Sequence, residues 1–232
     1  MILRRFKLHV KEQNWFAVGL DVLVVIFGVY IGIYLGEVAS ERATRDDVQD
    51  ALELVRVQLQ EDLKAADTII AYRQNKLKEP ELLLPLISRD DIDKVLVGQK
   101  LTEAFERVFT FFPKSSGYDS MKDSGYLARL DDPQLLEALA NLFDQVYVRH
   151  VLIADESDQY AYFFVRNVIA VYWNIDESGF IGDEAIARAR IKNAVVEFAG
   201  VSEWYVQFLS ASVRPGIVDA IAAIETYQNQ AR

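Results

Sequence analysis

The chain has 232 residues, no cysteine and a net charge of −10 at pH 7. The lack of cysteine excludes disulfides, thiolate metal sites and a cysteine nucleophile. Residues 1–36 carry a net charge of +2, so the rest of the chain carries −12. That acidic body lacks the basic surface that nucleic-acid binding requires, and nucleic acid is therefore excluded as a partner.

The tail formed by residues 1–14 has the pattern of an amphipathic helix lying on a membrane surface. Its apolar residues share one helical face: Ile2, Leu3, Phe6 and Val10. Arg4, Lys7 and Lys11 share another face, and Arg5 is the fourth basic residue of the tail. We expect these four basic side chains to contact the cytoplasmic face of the bilayer. A short flexible basic tail is the alternative.

The next element, within residues 15–37, is a predicted transmembrane helix. Residues 16–36 contain one charged side chain, Asp21, and as a helix they span about 30 Å, the thickness of a bilayer's hydrocarbon core. Because the basic residues precede this segment, the N-terminus is predicted to be cytoplasmic and the rest extracytoplasmic. The alternative, a cleaved signal peptide, lacks its small-residue cleavage pattern, since Glu37 stands before Val38 and Ala39.

Glycines recur at every fourth position of this apolar segment. Gly28, Gly32 and Gly36 form one stripe along a helix, and Asp21 falls on the same face. Small residues at this spacing allow another membrane helix to approach closely, and a carboxylate at membrane depth usually faces protein. We therefore expect this face to bind an integral membrane partner or a second copy. The alternative is that glycine is simply common in membrane helices and Asp21 lies at the headgroup level.

Residues 38–232 are predicted to form an extracytoplasmic domain of helices. Apolar residues recur at steps of three and four from Val48 to about Lys78, where Pro80 and Pro85 end the pattern. Three shorter helices are expected next: one opened by a capping box at Ser88 and Asp91 and running through Val97, one over residues 102–111, and one over residues 116–123 closed by Gly125.

The second half of the domain contains longer predicted helices. Asp132 and Pro133 are a typical helix start, and no helix-breaking residue follows until Ser178 and Gly179. The aromatic run over residues 159–173 is expected to pack in the core, and a ligand cavity is the alternative. Further helices follow over residues 183–198 and 202–212 and from Pro215 onward. The predicted fold is all-α, with one N-terminal transmembrane helix and an antiparallel helical bundle.

Residues 174–185 resemble a calcium-binding EF-hand loop in part. Asn174, Asp176 and Ser178 stand at ligand positions, but Glu184 comes one residue before the position of the final bidentate ligand. The plainer interpretation is an acidic turn between helices, with Asp183 capping the second.

No catalytic motif is present in the sequence, and no cofactor is predicted. The two histidines are His9, expected at the membrane interface, and His150, expected to be solvated or hydrogen-bonded. The sequence therefore predicts a protein that is not an enzyme.

Two stretches of the chain resemble an uncharacterised family of bacterial single-pass inner-membrane proteins. The first is residues 14–38, around the transmembrane segment, and the second is residues 116–147. The residues that carry the second match are Tyr118, Met121, Ser124, Gly125, Leu135, Leu139 and Phe143. The chain departs from the family directly after the membrane helix. The family usually has a run there that contains a tryptophan, and residues 34–41 of this chain contain none. The resemblance implies an inner-membrane protein with a helical periplasmic domain and supplies no catalytic residue.

Together these patterns predict a membrane-anchored accessory or scaffolding subunit of a larger inner-membrane complex, of respiratory, photosynthetic, transport or envelope-assembly type. The alternative is an extracytoplasmic ligand-binding or sensing bundle that signals through a recruited partner.

Overall fold

The structure is a computed structural model that describes residues 15–105 and 109–230. The tail predictions therefore lie outside the described residues, including those for His9 and for the basic residues Arg4, Arg5, Lys7 and Lys11. Within the described ranges the backbone is almost entirely helical, which confirms the all-α prediction.

Nine α-helices and one short hairpin follow each other along the described part of the chain. The helices are α1 Trp15–Lys76, α2 Lys78–Ile87, α3 Lys94–Phe105, α4 Ser116–Asp123, α5 Pro133–Ala140, α6 Val148–Phe164, α7 Ala170–Tyr172, α8 Glu184–Phe208 and α9 Arg214–Gln230. The strands are β1 Trp173–Asn174 and β2 Gly179–Phe180. A 3-10 turn spans Leu127–Arg129, and π turns span Asn141–Tyr147, Val165–Ile169 and Leu209–Val213.

The chain divides into two compact units between Asp50 and Ala51. In the first unit, α1 contains an apolar stretch whose large side chains between residues 22 and 35 are each at least half exposed. Among the described helices, this one is long and apolar enough to cross a membrane, judged by length and composition alone.

The second unit is built around three long helical runs. The first is residues 51–76 of α1, the second is α5 to α7 with their π turns, and the third is α8 and α9 with theirs. Three contacts show that the first and third runs are antiparallel: Arg56 to Glu225, Asp67 to Arg214 and Arg73 to Tyr205. The second run also lies antiparallel to the third, because Leu142 lies beside Gly216 and the later His150 packs on the earlier Tyr205. This is the predicted antiparallel bundle.

The helices α2 and α3 pack beside these runs and complete one core cluster. Its buried members are Leu83, Ile87, Val97, Leu101, Ala104, Phe105, Ala161, Phe164, Ile169, Trp173, Ile191, Ala194, Val195 and Phe198. The apolar spacing of the long helices therefore produces a continuous core between α2, α3, α6 and α8.

The predicted helix ends between residues 76 and 111 need correction. The helix α1 ends at Lys76, four residues before Pro80 and close to the predicted end near Lys78. Helical backbone resumes at Lys78, however, and both Pro80 and Pro85 lie within α2. Pro80 is in its first turn, where the missing N–H has no partner to lose. Ser88 does not cap the next helix, since its hydroxyl donates to the carbonyl of Leu84. The carboxylate of Asp93 accepts from the N–H of Leu96 instead, and α3 ends at Phe105 before the predicted 102–111 helix is complete.

The starts of the later helices agree with the sequence. Asp132 accepts from the N–H groups of Gln134 and Leu135, and Asp183 accepts from that of Ile186. Pro215 does not restart a helix after a gap, because helical backbone continues through it. The proline ring would clash with the carbonyl four residues earlier, and the wider π turn Leu209–Val213 relieves that clash.

The long second run ends in a hairpin that periodicity did not predict. Trp173 pairs with Phe180 and Asn174 with Gly179 in an antiparallel register. Two-residue strands are too short to leave an alternating pattern in the sequence. The hairpin reverses the chain direction between the second and third runs.

Candidate functional site

An extended segment, residues 109–115, is held against the second unit by buried polar side chains. We call this segment the strap. It has no regular secondary structure, so its backbone groups need partners from elsewhere. Side chains of all three helical runs bond to these backbone groups: Asp62 and Arg73 from the first, His150 from the second, and Tyr205 from the third. Asp158 of the second run accepts from the side-chain hydroxyl of Thr110.

The start of the strap is held by a buried arginine. Arg73 donates from Nε to the carbonyl of Phe109 at 2.8 Å, and its guanidinium lies 4.7 Å from the centre of the Tyr205 ring. Asp158 accepts a hydrogen bond from the hydroxyl of Thr110. The Arg73 Nη2 and Asp158 Oδ1 atoms are 3.9 Å apart, which is an ion pair but too long for a hydrogen bond. Burial lowers the pKa of Arg73 and raises that of Asp158.

The centre of the strap is held at Phe111, whose ring is buried. Its N–H donates to the hydroxyl oxygen of Tyr205 at 2.8 Å, and its carbonyl lies 2.8 Å from His150 Nε2. Because a carbonyl only accepts, the proton of His150 must be on Nε2. Nδ1 of the same ring is buried and has no hydrogen-bond partner. Burial lowers the pKa of His150, so the neutral ring is favoured, and burial raises the pKa of Tyr205 to about 12.

The end of the strap is held by a buried carboxylate. Asp62 Oδ2 accepts from the backbone N–H of Lys114 and from the hydroxyl of Tyr147, both at 2.9 Å. Burial raises the pKa of Asp62 even though both hydrogen bonds favour its charged form. The Tyr147 hydroxyl, beside this carboxylate and largely buried, has its pKa raised as well.

Sequence reasoning missed most of this cluster, although α1 carried a signal for it. The buried residues Leu52, Val55, Leu59 and Ala66 recur at steps of three and four. Continuing that spacing places Asp62 and Arg73 on the same buried stripe. A charge on an apolar stripe must find a buried partner, and this was the available indication. His150 was expected to be solvated or hydrogen-bonded, and it is buried and hydrogen-bonded.

The glycines of the predicted membrane contact lie on the open surface of α1. Nothing lies within 4 Å of a methyl group placed on Gly28, Gly32 or Gly36. Asp21 lies in α1 at the start of the same stripe, and its side chain is outside the described atoms. These residues do not take part in the strap.

The predicted calcium-loop residues lie in and after the hairpin. The side-chain oxygen of Asn174 accepts from the N–H groups of Asp176 and Glu177, so it is engaged with its own loop. Ser178 has a left-handed backbone with φ of 47°, and Glu184 forms an ion pair with Arg188. Among the described residues, no three side chains of His, Cys, Asp or Glu are grouped to hold a metal ion.

The aromatic run over residues 159–173 divides between core and surface. Ala161, Phe164 and Trp173 are buried, in agreement with the expected core packing. Tyr162 and Phe163 are exposed on the outer side of α6, where core packing was the wrong expectation. Only one face of a helix at the protein surface packs against the core. An unbroken apolar run therefore leaves some of its aromatic rings on the solvent-facing side.

One cavity, of about 450 Å³, lies on the side of α1 in the second unit. Its lining residues are Gln60, Leu63, Lys64, Asp67 and Thr68, and most of these are exposed. The cavity contains none of the aromatic residues expected in the alternative of a ligand-binding bundle.

The fold is therefore that of an all-α protein with an apolar N-terminal helix and a helical bundle. Residues 21–163 match a family described as a family of unknown function, DUF6090. Because the match covers more than half of the chain, the protein belongs to this family. The matched region includes the apolar stretch, the strap and α6 up to Phe163. It ends before the hairpin and before Tyr205. No curated protein and no solved structure matches the chain.

Proposed function

We propose that the protein is a non-enzymatic accessory subunit, anchored in the bacterial inner membrane, that binds and stabilises a larger membrane complex. The observation that carries this proposal is the exposed apolar surface of α1. All its large apolar side chains from residue 22 to residue 35 are at least half exposed. Such a surface is unstable in water, and it is stable in lipid or against another membrane helix.

The glycine stripe is the proposed contact with the partner. Open space beside Gly28, Gly32 and Gly36 allows a second helix to approach the backbone of α1. Asp21 begins this stripe, and a carboxylate at membrane depth gains from facing protein. The occupant is an integral membrane protein or a second copy of this chain.

The proposed orientation has the N-terminus in the cytoplasm and the second unit in the periplasm. The excess of basic residues before α1 supports it, because positively charged segments are retained on the cytoplasmic side. The acidic charge after residue 36 keeps the second unit off an anionic lipid surface and leaves it available to brace extracytoplasmic parts of a partner.

A second candidate function is an extracytoplasmic sensing bundle that signals through a recruited protein. The cavity of about 450 Å³ beside Lys64 and Asp67 is the observation in its favour, since it is large enough for a small polar ligand. We rank it second because the cavity lies on an exposed helix side.

The test is gentle detergent extraction of the native protein, followed by mass spectrometry of proteins that co-purify. The decisive variant replaces Gly28, Gly32 and Gly36 with leucine. A matched control replaces Ile26, Tyr30 and Tyr34 with leucine on the opposite side of α1, so both variants keep an apolar helix.

We expect a stoichiometric membrane partner, or a second copy, with the wild type and the control and its loss from the glycine variant. Recovery of the wild-type chain alone would contradict the accessory-subunit proposal and favour the sensing bundle. Equal loss of the partner from both variants would show that the glycine stripe is not the contact.

A further inference from the structure

The strap is attached to the second unit by side chains, and one of these attachments comes from His150, whose buried ring is neutral in the closed form. Protonation would keep the Nε2–H donor of this hydrogen bond and would act through the buried charge that it creates. Within the described strap, the backbone groups of Phe109, Phe111 and Lys114 are paired with Arg73, Tyr205, His150 and Asp62. No helix or sheet ladder holds this segment in place. Its attachment is therefore only as stable as the protonation states of those side chains allow.

His150 is built into a site that accommodates only its neutral form. The ring is fully buried and lies 5.2 Å from the Phe111 ring, 5.7 Å from that of Tyr205 and 6.4 Å from that of Phe208. Protonation of Nδ1 would place an N–H donor where no acceptor is present. A buried charge without a hydrogen-bond partner is strongly unfavourable.

The charged groups around His150 do not compensate for a second positive charge. From α1, the Arg73 guanidinium lies over the face of the Tyr205 ring, and from α6, Arg149 lies over the Phe208 ring. Both are cations on rings that also touch His150. The acidic groups of the cluster are engaged elsewhere: Asp62 accepts from Lys114 and Tyr147, and Asp158 accepts from Thr110 beside Arg73.

We propose that the strap is a pH-sensitive latch, closed while His150 is neutral and released when its imidazole takes up a proton. Release separates the carbonyl of Phe111 from His150 and lets water reach the ring. Opening also uncovers Arg73, Asp62 and Tyr205, which the closed strap covers. This inference concerns the second unit alone and does not depend on the proposed membrane partner.

The direction of the pH effect follows from proton linkage. The folded pKa of His150 lies below its usual value of 6.5, so the open form binds more protons than the closed form as pH falls below that value. Uptake of one proton on opening raises the opening equilibrium as pH falls from about 6.5 toward the lower folded pKa, with a slope that approaches tenfold per pH unit. The raised pKa values of Asp62 and Asp158 act in the opposite direction at more acidic pH, where closed carboxyls take up protons first.

The experiment is hydrogen exchange of the full chain in detergent or nanodiscs between pH 7.5 and 5.5, with rates corrected for intrinsic exchange. The reporters are the N–H groups of Phe111 and Lys114, which donate to Tyr205 and Asp62. A peptide from α8 reports global unfolding. We expect protection of the strap to fall by up to about fivefold between pH 6.5 and 5.5, with α8 unchanged.

Two variants separate the latch from simple weakening of the strap. H150Q keeps a side-chain donor near the Phe111 carbonyl and does not titrate, so strap exchange should become independent of pH. Y205F removes the acceptor of the Phe111 N–H and leaves His150 intact, so exchange should be faster at every pH with the same pH dependence. Exchange that is independent of pH in the wild type, or equally pH-dependent in H150Q, would overturn the proposal.

A second measurement keeps the test decisive even where H150Q does not fold. In an H9A background His150 is the one remaining histidine, so its imidazole signals can be followed by NMR. We expect it to stay neutral below pH 6.5 and to titrate over the range in which the strap opens. Titration near pH 6.5 with the strap still protected would also overturn the latch.

Discussion

Two glycines of the second unit face different surroundings, and substitutions there are expected to act in opposite directions. A methyl group on Gly117 would lie 2.7 Å from Gln58 Oε1 and 3.2 Å from Val55 Cγ2. The same glutamine oxygen accepts the N–H of Gly117. Gly200, inside α8, has nothing within 4 Å of such a methyl group. Gly117 therefore serves a close approach, and Gly200 only weakens a helix.

We expect G117A to lower the free energy of unfolding by about 1–2 kcal/mol, because the Gln58 side chain must move and its hydrogen bond is disturbed. G200A should raise the free energy of unfolding by about 0.5–1 kcal/mol, because alanine restricts the unfolded chain and favours the helix. Chemical denaturation of both variants in the same detergent measures the difference. Equal effects of the same sign would contradict the geometry at Gly117.

At the scale of the element, the start of the second helical run depends on one side chain. Asp132 Oδ1 accepts from the N–H of Gln134 at 2.8 Å and from that of Leu135 at 3.2 Å, and Pro133 follows it at the first helical position. Helix starts leave N–H groups without partners, and a capping carboxylate satisfies two of them here. The same device opens α8 at Asp183.

The expected cost of D132A is about 0.5–2 kcal/mol of unfolding free energy, since the cap is lost while the helix remains. The neighbouring D131A is the matched control, as it removes the same charge next to the cap and should change stability by less than about 0.5 kcal/mol. Thermal unfolding followed by circular dichroism at 222 nm compares the two. A loss of similar size in both variants would assign the effect to net charge, not to capping.

At the scale of the whole molecule, charge and apolar surface are segregated along the chain. The excess of basic residues lies before α1, the exposed apolar stretch follows, and the acidic excess lies after residue 36. This order supports the proposed topology, in which the positive end stays in the cytoplasm. The chain has no cysteine, so a single introduced cysteine is a clean probe of it.

We expect a membrane-impermeant maleimide to label D123C in bacterial cells with a permeabilised outer membrane, and to label H9C only after the inner membrane is disrupted. The wild-type chain provides the background, because it has no thiol to react. Labelling of H9C but not D123C before the inner membrane is disrupted would indicate the orientation opposite to the proposed one. Labelling of both without disruption would contradict a membrane-spanning anchor.

Patterns in the sequence were enough to predict the helical class, the apolar segment and the helix starts at Asp132 and Asp183. These features are local: a cap, a proline at a first turn or an apolar spacing acts within a few residues along the chain. The periodicity of α1 also contained a signal for Asp62 and Arg73 on its buried side, which the predictions from sequence did not use. The hydrogen-bond partners of these two side chains, Lys114 and Phe109, lie far away in the sequence.

The three-dimensional structure was needed to show that residues 109–115 form a strap and which side chains hold it. The strap lies far in sequence from the residues it meets, with Lys114 bonded to Asp62 and Phe111 bonded to Tyr205. Packing likewise favours the neutral form of His150 through burial, and the Phe111 carbonyl selects the tautomer with its proton on Nε2. Such contacts form between separate helices, and no local pattern in the sequence records them.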